Sequence, residues 1–81
     1  MACSCSEGFI EGRAVDTGVR ARVRTPGHDC AYVAARNALI PVAEARANAR
    51  WPDDRMVGYA ARWTGTFVRE MQLLAREKGI A

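Results

Sequence analysis

The segment VRARVRT constrains the fold most, because apolar and charged residues alternate strictly along it from Val19 to Arg24. A period of two turns successive side chains to opposite faces of a β-strand, whereas the faces of a helix repeat about every 3.6 residues. The segment therefore predicts a half-buried strand with its valines and alanine inside and its arginines outside.

A second alternating segment, FIEGRA, precedes this strand, and the turn-forming residues DTG lie between the two. Gly18 can adopt the positive φ that a tight hairpin turn requires. We therefore predict a β-hairpin over residues 8–25 with Thr17 and Gly18 as its turn, so that Asp16 pairs with Val19. A pairing shifted by a single residue would mix the apolar and charged faces.

Residues 29–50 have the spacing of a helix that is interrupted by one proline. Asp29 is placed to cap the start of this helix, where a carboxylate accepts hydrogen bonds from free backbone N–H groups. Pro41 lacks a backbone donor and clashes with the preceding turn, so we predict a kink or a fresh helix start there. Arg36 is assigned to the solvent side of this helix. Its apolar positions are Tyr32, Ala35, Leu39 and Val42.

A further helix is predicted over residues 52–78. Pro52 suits the first turn of a helix, and the two aspartates that follow it complement the positive end of the helix dipole. Gly79 is the expected C-terminal cap. The apolar stripe of this helix comprises Met56, Ala60, Trp63, Phe67, Met71 and Leu74.

Together these elements predict an α+β fold, a single small ββαα domain over residues 1–81 with an N-terminal β-hairpin packed on a kinked helical hairpin. A chain of 81 residues with two Trp, two Tyr and two Phe has few large side chains for a core. Domains of this size are often held together by a metal, a disulfide or a partner subunit. The sequence contains one candidate for such a stabilising link, which we call a staple.

The cysteines and the single histidine are the candidate ligands of that staple. Cys-x-Cys near the N-terminus and His-x-Cys after the second strand belong to the same end of the predicted hairpin, so folding brings them together. Three thiolates and one imidazole match a closed tetrahedral zinc site, which would contribute directly to folding. Residues 1–7 would then be ordered only by the metal. The predicted zinc ligands are Cys3, Cys5, His28 and Cys30.

Other arrangements of the cysteines stay open. A disulfide could join Cys30 to Cys5 or to Cys3, although the odd third thiol argues against a purely disulfide design. Cys3 and Cys5 could instead exchange disulfides as a thiol redox site, if a neighbour such as His28 stabilised one thiolate. In the plainest alternative no cysteine binds a metal: Cys30 is an ordinary buried helical cysteine, His28 is a loop residue, and Cys3 and Cys5 belong to a disordered end.

The outward arginines of the hairpin are the candidate binding residues. Arg20, Arg22 and Arg24 share one strand face, Arg13 lies nearby on the first strand, and the predicted pairing sets Glu11 opposite Arg24. Guanidinium groups bind phosphates and carboxylates through paired hydrogen bonds. This favours an anionic partner, either a nucleic-acid backbone or an acidic protein surface. The alternative is a solvated face whose charges keep the strand from aggregating.

Composition limits the other function classes. The net charge is only +3, which is not typical of a strong nucleic-acid binder. One histidine assigned to zinc leaves no independent general base, and there is no glycine-rich phosphate loop, so we predict no enzymatic activity. No apolar stretch approaches the roughly 18 residues of a membrane span, and no leader is visible, so we expect a cytoplasmic protein without a membrane partner.

A protein-interaction or assembly role is the main alternative function. Trp51, beside Pro52 at a helix junction, either staples that turn or anchors a larger protein complex through an apolar helix surface. Alanine-rich stretches such as AEARANAR permit close helix contacts and hence a homo-oligomer. A short chain rich in arginine and alanine also fits a phage-type accessory protein that inhibits or assembles a larger machine.

Overall fold

The computed structural model describes residues 8–15, 17–25, 30–52 and 58–80. An antiparallel β-hairpin is followed by a helical segment broken in two and then by one long helix. This confirms the predicted α+β architecture, with a hairpin packed on a kinked helical hairpin. The elements are β1 (Gly8–Arg13), β2 (Arg20–Thr25), α1 (Cys30–Asn37), α2 (Ile40–Arg50) and α3 (Tyr59–Glu77).

The two faces of the hairpin follow the alternation of its sequence. Ala21 and Val23 of β2 are buried, with 2% and 4% of their surface exposed, whereas every arginine of that strand is exposed. Ile10 on β1 and Ala14 just after it are buried in the same way. The inner face packs on the helices, with β1 against α2 and β2 against α3.

The turn differs from the prediction, and the strand pairing differs with it. Ala14 N–H donates to the Val19 carbonyl at 2.8 Å and Gly18 N–H donates to the Ala14 carbonyl at 3.2 Å, so Val19 pairs with Ala14 and not with Asp16. Gly18 has φ +71°, and Val19 N–H donates to Thr17 Oγ1 at 3.2 Å. A shift of two residues keeps the same side chains inside, because strand faces repeat every second residue. The chemistry of the longer loop therefore decided the register.

Pro41 produces a fresh helix start, one of the two predicted outcomes. It lies in the first turn of α2, where a missing N–H costs no helical hydrogen bond. Ala43 N–H donates to the Leu39 carbonyl at 3.0 Å, and Leu39 itself is buried. Val42, predicted to share the apolar face, is instead 43% exposed, because the turn at residues 38–39 interrupts the helical periodicity on which the prediction rested.

α3 begins later than predicted, at Tyr59 and not at residue 52. Gly58, just before it, has φ +78°, a left-handed conformation that cannot continue a right-handed helix. Four positions of the predicted apolar stripe are buried as expected, but Tyr59 is buried in place of Ala60, which is exposed. The four are Trp63, Phe67, Met71 and Leu74. Met56, the first predicted member of that stripe, lies outside the described residues.

The C-terminal end of α3 matches the prediction. Gly79 has φ +71°, and its N–H donates to the Arg76 carbonyl at 3.1 Å, while Ile80 N–H donates to the Ala75 carbonyl at 2.8 Å. These two bonds form a Schellman motif, which satisfies the last carbonyls of the helix. Ile80 also packs against the core, so the cap covers one end of it.

The core lies between the inner face of the hairpin and the α2–α3 pair. Its largest side chains, Trp63, Phe67 and Met71, have no exposed surface, and the rings of the first two stack with centroids 5.4 Å apart. Ala43 and Ala47 of α2 are equally buried. Because helix separation depends on the side chains at the contact, these alanines let α2 approach α3 closely.

Candidate anion-binding face of the hairpin

The outer face of the hairpin carries four arginines against one glutamate. The inner face of the hairpin is buried against the helices, so the strands that carry these side chains are held in place while the side chains project into solvent. All four hairpin arginines that were predicted to bind a partner are thereby brought together on one surface. We call this surface the arginine face, and its exposed members are Phe9, Glu11, Arg13, Arg20, Arg22 and Arg24.

The strand pairing decides which residues face one another across this surface. The expectation that Glu11 lies opposite Arg24 is wrong, because the longer loop shifts the register by two residues. Every residue keeps its predicted face but changes its neighbour. The directly opposed pairs are Arg13–Arg20, Glu11–Arg22 and Phe9–Arg24.

Arg22 has two neighbours on the arginine face. Its Nε lies 3.3 Å from Glu11 Oε2, and its guanidinium carbon lies 5.6 Å from the centroid of the Phe9 ring. The side chains of Arg22 and Glu11 are 64% and 41% exposed, so solvent screens the ion pair, which contributes at most about 1 kcal/mol. A carboxylate or phosphate of a partner can therefore compete with Glu11 for Arg22.

Arg13 and Arg20 form a like-charged pair with a carboxylate from α2 beside it. The backbone N–H of Arg13 donates to Glu44 Oε2 at 2.7 Å, and these three residues, with Glu11 and Gly12, line a cleft of about 270 Å³. Like charges opposite one another destabilise a strand pair, and Glu44 places a negative charge in the same cleft as these two arginines. Sequence reasoning missed Glu44, because it is 31 positions from Arg13 and nothing in α2 itself points to the hairpin.

Trp51 joins the end of α2 to the middle of α3. Its Nε1–H donates to Thr66 Oγ1 at 2.6 Å, and the guanidinium carbon of Arg62 lies 5.4 Å from its ring centroid. The indole is partly buried and packs against the core. Of the two roles considered for Trp51, these contacts favour the staple over the exposed anchor.

A groove between α2 and α3 forms a second surface that carries arginines. Arg46 Nη1 lies 2.9 Å from Glu70 Oε1, and the side chain of Glu70 is only 17% exposed. An acidic side chain thus lies within the groove itself, unlike on β2, where every charged side chain is an arginine. The groove has a volume of about 440 Å³ and is lined by Arg50, Trp51, Thr66, Arg69, Glu70 and Leu73.

Arg36 is buried, contrary to its assignment to the solvent side of the helix. Only 5% of its surface is exposed, and its Nη1 donates to the Tyr32 hydroxyl at 3.4 Å. Its Nε forms no hydrogen bond with any described residue. Helical periodicity misassigned Arg36 because α1 has only 8 residues, so that tertiary packing determines which of its sides is covered.

Most of the predicted zinc site falls outside the part of the chain that can be described. Cys3, Cys5 and His28 lie there, while Cys30 is the first residue of α1 and its side chain is not described. Among the residues that the structure does describe, no group of three or more His, Cys, Asp or Glu side chains could hold a metal ion. The zinc site and its disulfide and redox alternatives therefore stay predictions.

Comparison with protein-family models, with curated proteins and with solved structures gives no match for this chain. None of the helices in the described ranges has the length and apolar character needed to cross a membrane. The function is therefore inferred from the geometry of the arginine face.

Proposed function

We propose that this protein is a small, non-enzymatic, cytoplasmic binding module that presents the arginine face to an anionic partner. The proposal rests on the distribution of charged residues on the hairpin, which lie on one of its two faces. Four arginines and one glutamate project from one exposed face, while the opposite face is buried against the helices. Such a surface offers a partner a dense set of cationic hydrogen-bond donors on a fixed backbone.

The spacing of the arginine face suits an extended anion. Arg20, Arg22 and Arg24 lie two residues apart on β2, so their Cα atoms are separated by about 6.6–6.8 Å. Guanidinium groups are weakly hydrated and bind phosphate or carboxylate oxygens in pairs. Phe9, which is 59% exposed, adds an aromatic surface on which a base or an apolar side chain can pack. A nucleic-acid backbone and an acidic protein segment both fit this arrangement.

The main alternative is an assembly or inhibitor factor, such as a phage-type accessory protein, that binds a larger complex through the helices near Trp51. The contacts of Trp51 with Thr66 and Arg62 would then have to be displaced. The alanine-rich α2 already turns Ala43 and Ala47 into the core, so a homo-oligomer would have to use its other side. These contacts favour the arginine face over the helix surface as the binding site.

We also propose that zinc staples the open end of the hairpin. Gly8 pairs with Thr25 at that end, and Thr25 Oγ1 donates to the Gly8 carbonyl at 3.0 Å. Cys5 is three residues before Gly8, and His28 is three residues after Thr25. Three residues span at most about 10–11 Å, so both ligands are tethered within reach of a common point. Cys30 begins the helix that follows, and Cys3 is two residues before Cys5.

The proposal for the arginine face is tested with two triple variants that lose the same charge. R20Q/R22Q/R24Q removes the arginines of β2, and R50Q/R69Q/R76Q removes three exposed arginines of α2 and α3. Binding of a labelled single-stranded oligonucleotide and of labelled polyglutamate is measured by fluorescence anisotropy over a series of salt concentrations. Circular dichroism establishes that both variants remain folded.

We expect the hairpin variant to lose roughly tenfold or more in affinity for at least one probe, and the helix variant to lose much less. For the oligonucleotide, the magnitude of the slope of log affinity against log salt should fall by about 2, since each of the three lost phosphate contacts removes about 0.7 from it. Equal losses in the two variants would assign binding to net charge alone and overturn the proposal. The proposal would also be overturned if the wild-type protein bound neither the oligonucleotide nor polyglutamate.

A further inference from the structure

The outer edge of β2 carries backbone groups that no described strand pairs with. The sheet has two strands, and the other edge, that of β1, lies against α2, where Arg13 N–H donates to Glu44. Among the described residues, β2 has no strand partner besides β1, and its Arg20 and Arg22 form no backbone hydrogen bond to another element, although the strand also packs on α3. An open edge of this kind is a template for another extended chain.

The hydrogen bonds of the hairpin determine which groups point to that edge. Ala14 N–H donates to the Val19 carbonyl, so this pair is bonded within the hairpin, and the next pair, Arg13–Arg20, is a non-bonded one in an antiparallel ladder. The N–H of Arg13 indeed points to α2 and away from β2. The N–H and C=O groups of Arg20 and Arg22 therefore point outward. Within the described ranges, neither residue forms a backbone hydrogen bond to another element.

The side chains at these two positions determine which strand can be added. A residue bonded opposite Arg20 or Arg22 projects its side chain to the same face as the arginine. A second copy of β2 would set arginine against arginine, which is unfavourable. A strand with carboxylates at alternate positions would set an acid against each arginine. The charges that prevent self-pairing thus favour an acidic strand.

We propose, as an extension of the function proposed above, that the partner is an extended acidic segment of another protein, which adds to the outer edge of β2 as a third strand. The backbone groups of Arg20 and Arg22 form the new ladder, and their guanidinium groups bind carboxylates at alternate positions of the segment. In strand addition of this kind, main-chain bonds supply affinity and alternate side chains supply specificity. A nucleic acid has no complementary ladder of N–H and C=O groups and would use the side chains alone.

Three synthetic peptides of equal charge separate strand addition from simple charge attraction. The first has the alternating sequence Glu-Val-Glu-Thr-Glu-Val, and the second has the same residues as Glu-Glu-Glu-Val-Thr-Val. The third repeats the first with a methyl group on the backbone nitrogen of each glutamate, which removes the N–H groups that would bond to β2. Each peptide is acetylated, amidated and labelled, and its affinity for the wild-type protein is measured by fluorescence anisotropy.

Amide hydrogen exchange followed by NMR supplies a second, site-specific measurement. In the free protein, the amides of Arg20 and Arg22 should exchange faster than those of Ala21 and Val23, which point to β1. The alternating peptide should slow exchange at Arg20 and Arg22 and leave Ala21 and Val23 nearly unchanged. The latter two amides are therefore internal controls for global stabilisation.

We expect the alternating peptide to bind at least tenfold more tightly than the other two and to slow exchange at Arg20 and Arg22. Equal binding of all three peptides without slower exchange would overturn strand addition while leaving the arginine face as a binding surface. Binding of the oligonucleotide but of no peptide would also overturn it, and would identify the anionic partner as a nucleic acid. Failure of every anion to bind would overturn both proposals.

Discussion

Gly12 on β1 lies against the Cζ end of the Phe67 ring on α3, and no room for a side chain is left between them. A Cβ atom built on Gly12 would overlap the Phe67 ring. Gly12 occupies an inward position between Ile10 and Ala14, where an apolar side chain would ordinarily point into the core. The Phe67 ring fills that space instead, so the hairpin contacts α3 through its backbone at this point.

The variant Gly12→Ala should therefore lower the free energy of unfolding by about 1–3 kcal/mol, the usual cost of overpacking a filled core. Gly65→Ala is the matched control, since nothing lies within 4 Å of a Cβ at Gly65 and the position is exposed on α3. That change should raise stability by about 0.5–1 kcal/mol through helix propensity. Urea unfolding measures both, and equal effects of the two substitutions would contradict the close contact with Phe67.

The buried indole of Trp63 depends on one acceptor on α2. Its Nε1–H donates to Asn48 Oδ1 at 3.0 Å, and Trp63 has no exposed surface. Asn48→Ala should cost about 1–3 kcal/mol, because it leaves a buried donor unsatisfied. Asn48→Asp retains an acceptor and should cost less. Asn37→Ala, at an exposed position, is the control. If thermal unfolding showed the same loss of stability for Asn37→Ala as for Asn48→Ala, this account would be contradicted.

The bond between Trp51 and Thr66 should contribute to stability if Trp51 is a staple. Thr66→Val removes the acceptor with little change of shape and should lower the free energy of unfolding by about 0.5–1.5 kcal/mol. Thr64→Val, a half-buried position on the same helix, should change it by less than about 0.5 kcal/mol. If the Thr66→Val protein were as stable as the wild type, the staple role of Trp51 would be contradicted, and the role of an anchor for a partner would be favoured instead.

The proposed zinc staple is tested by native mass spectrometry of protein prepared without added chelator. We expect one zinc ion in the wild type, and we expect Cys5→Ser to lose it together with part of the thermal stability, because metal binding is coupled to folding. A zinc-free mass with three free thiols would contradict the staple. A mass lower by two hydrogen atoms would indicate a disulfide instead, and would also remove the zinc site.

The register of the hairpin shows where sequence reasoning reached its limit. Two pairings that differ by two residues bury the same side chains, so the apolar pattern could not distinguish them. The bonds of Ala14 with Val19 and Gly18 decided the pairing through the loop. The start of α3 was missed for a similar local reason, since the sequence does not reveal that Gly58 is left-handed.

The candidate site was predictable in its membership but not in its contacts. Alternation alone placed Arg13 and the arginines of β2 on one exposed face. It could not reveal that Glu44 approaches from α2, that Arg22 pairs with Glu11, or that Arg36 is buried. Each of these depends on how separate elements pack, which no local pattern encodes.

The sequence by itself determined the order of the elements, the inner and outer faces of the hairpin, the helix break at Pro41 and the cap at Gly79. These follow from backbone periodicity and from the conformations that proline and glycine allow, which are local properties. The loop of the hairpin decided the register and with it the direction of the Arg20 and Arg22 backbone groups, and the tertiary structure alone decided the placement of Gly12 on Phe67. Those depend on loop geometry and on close packing between distant segments, where a space filled by one element is closed to another.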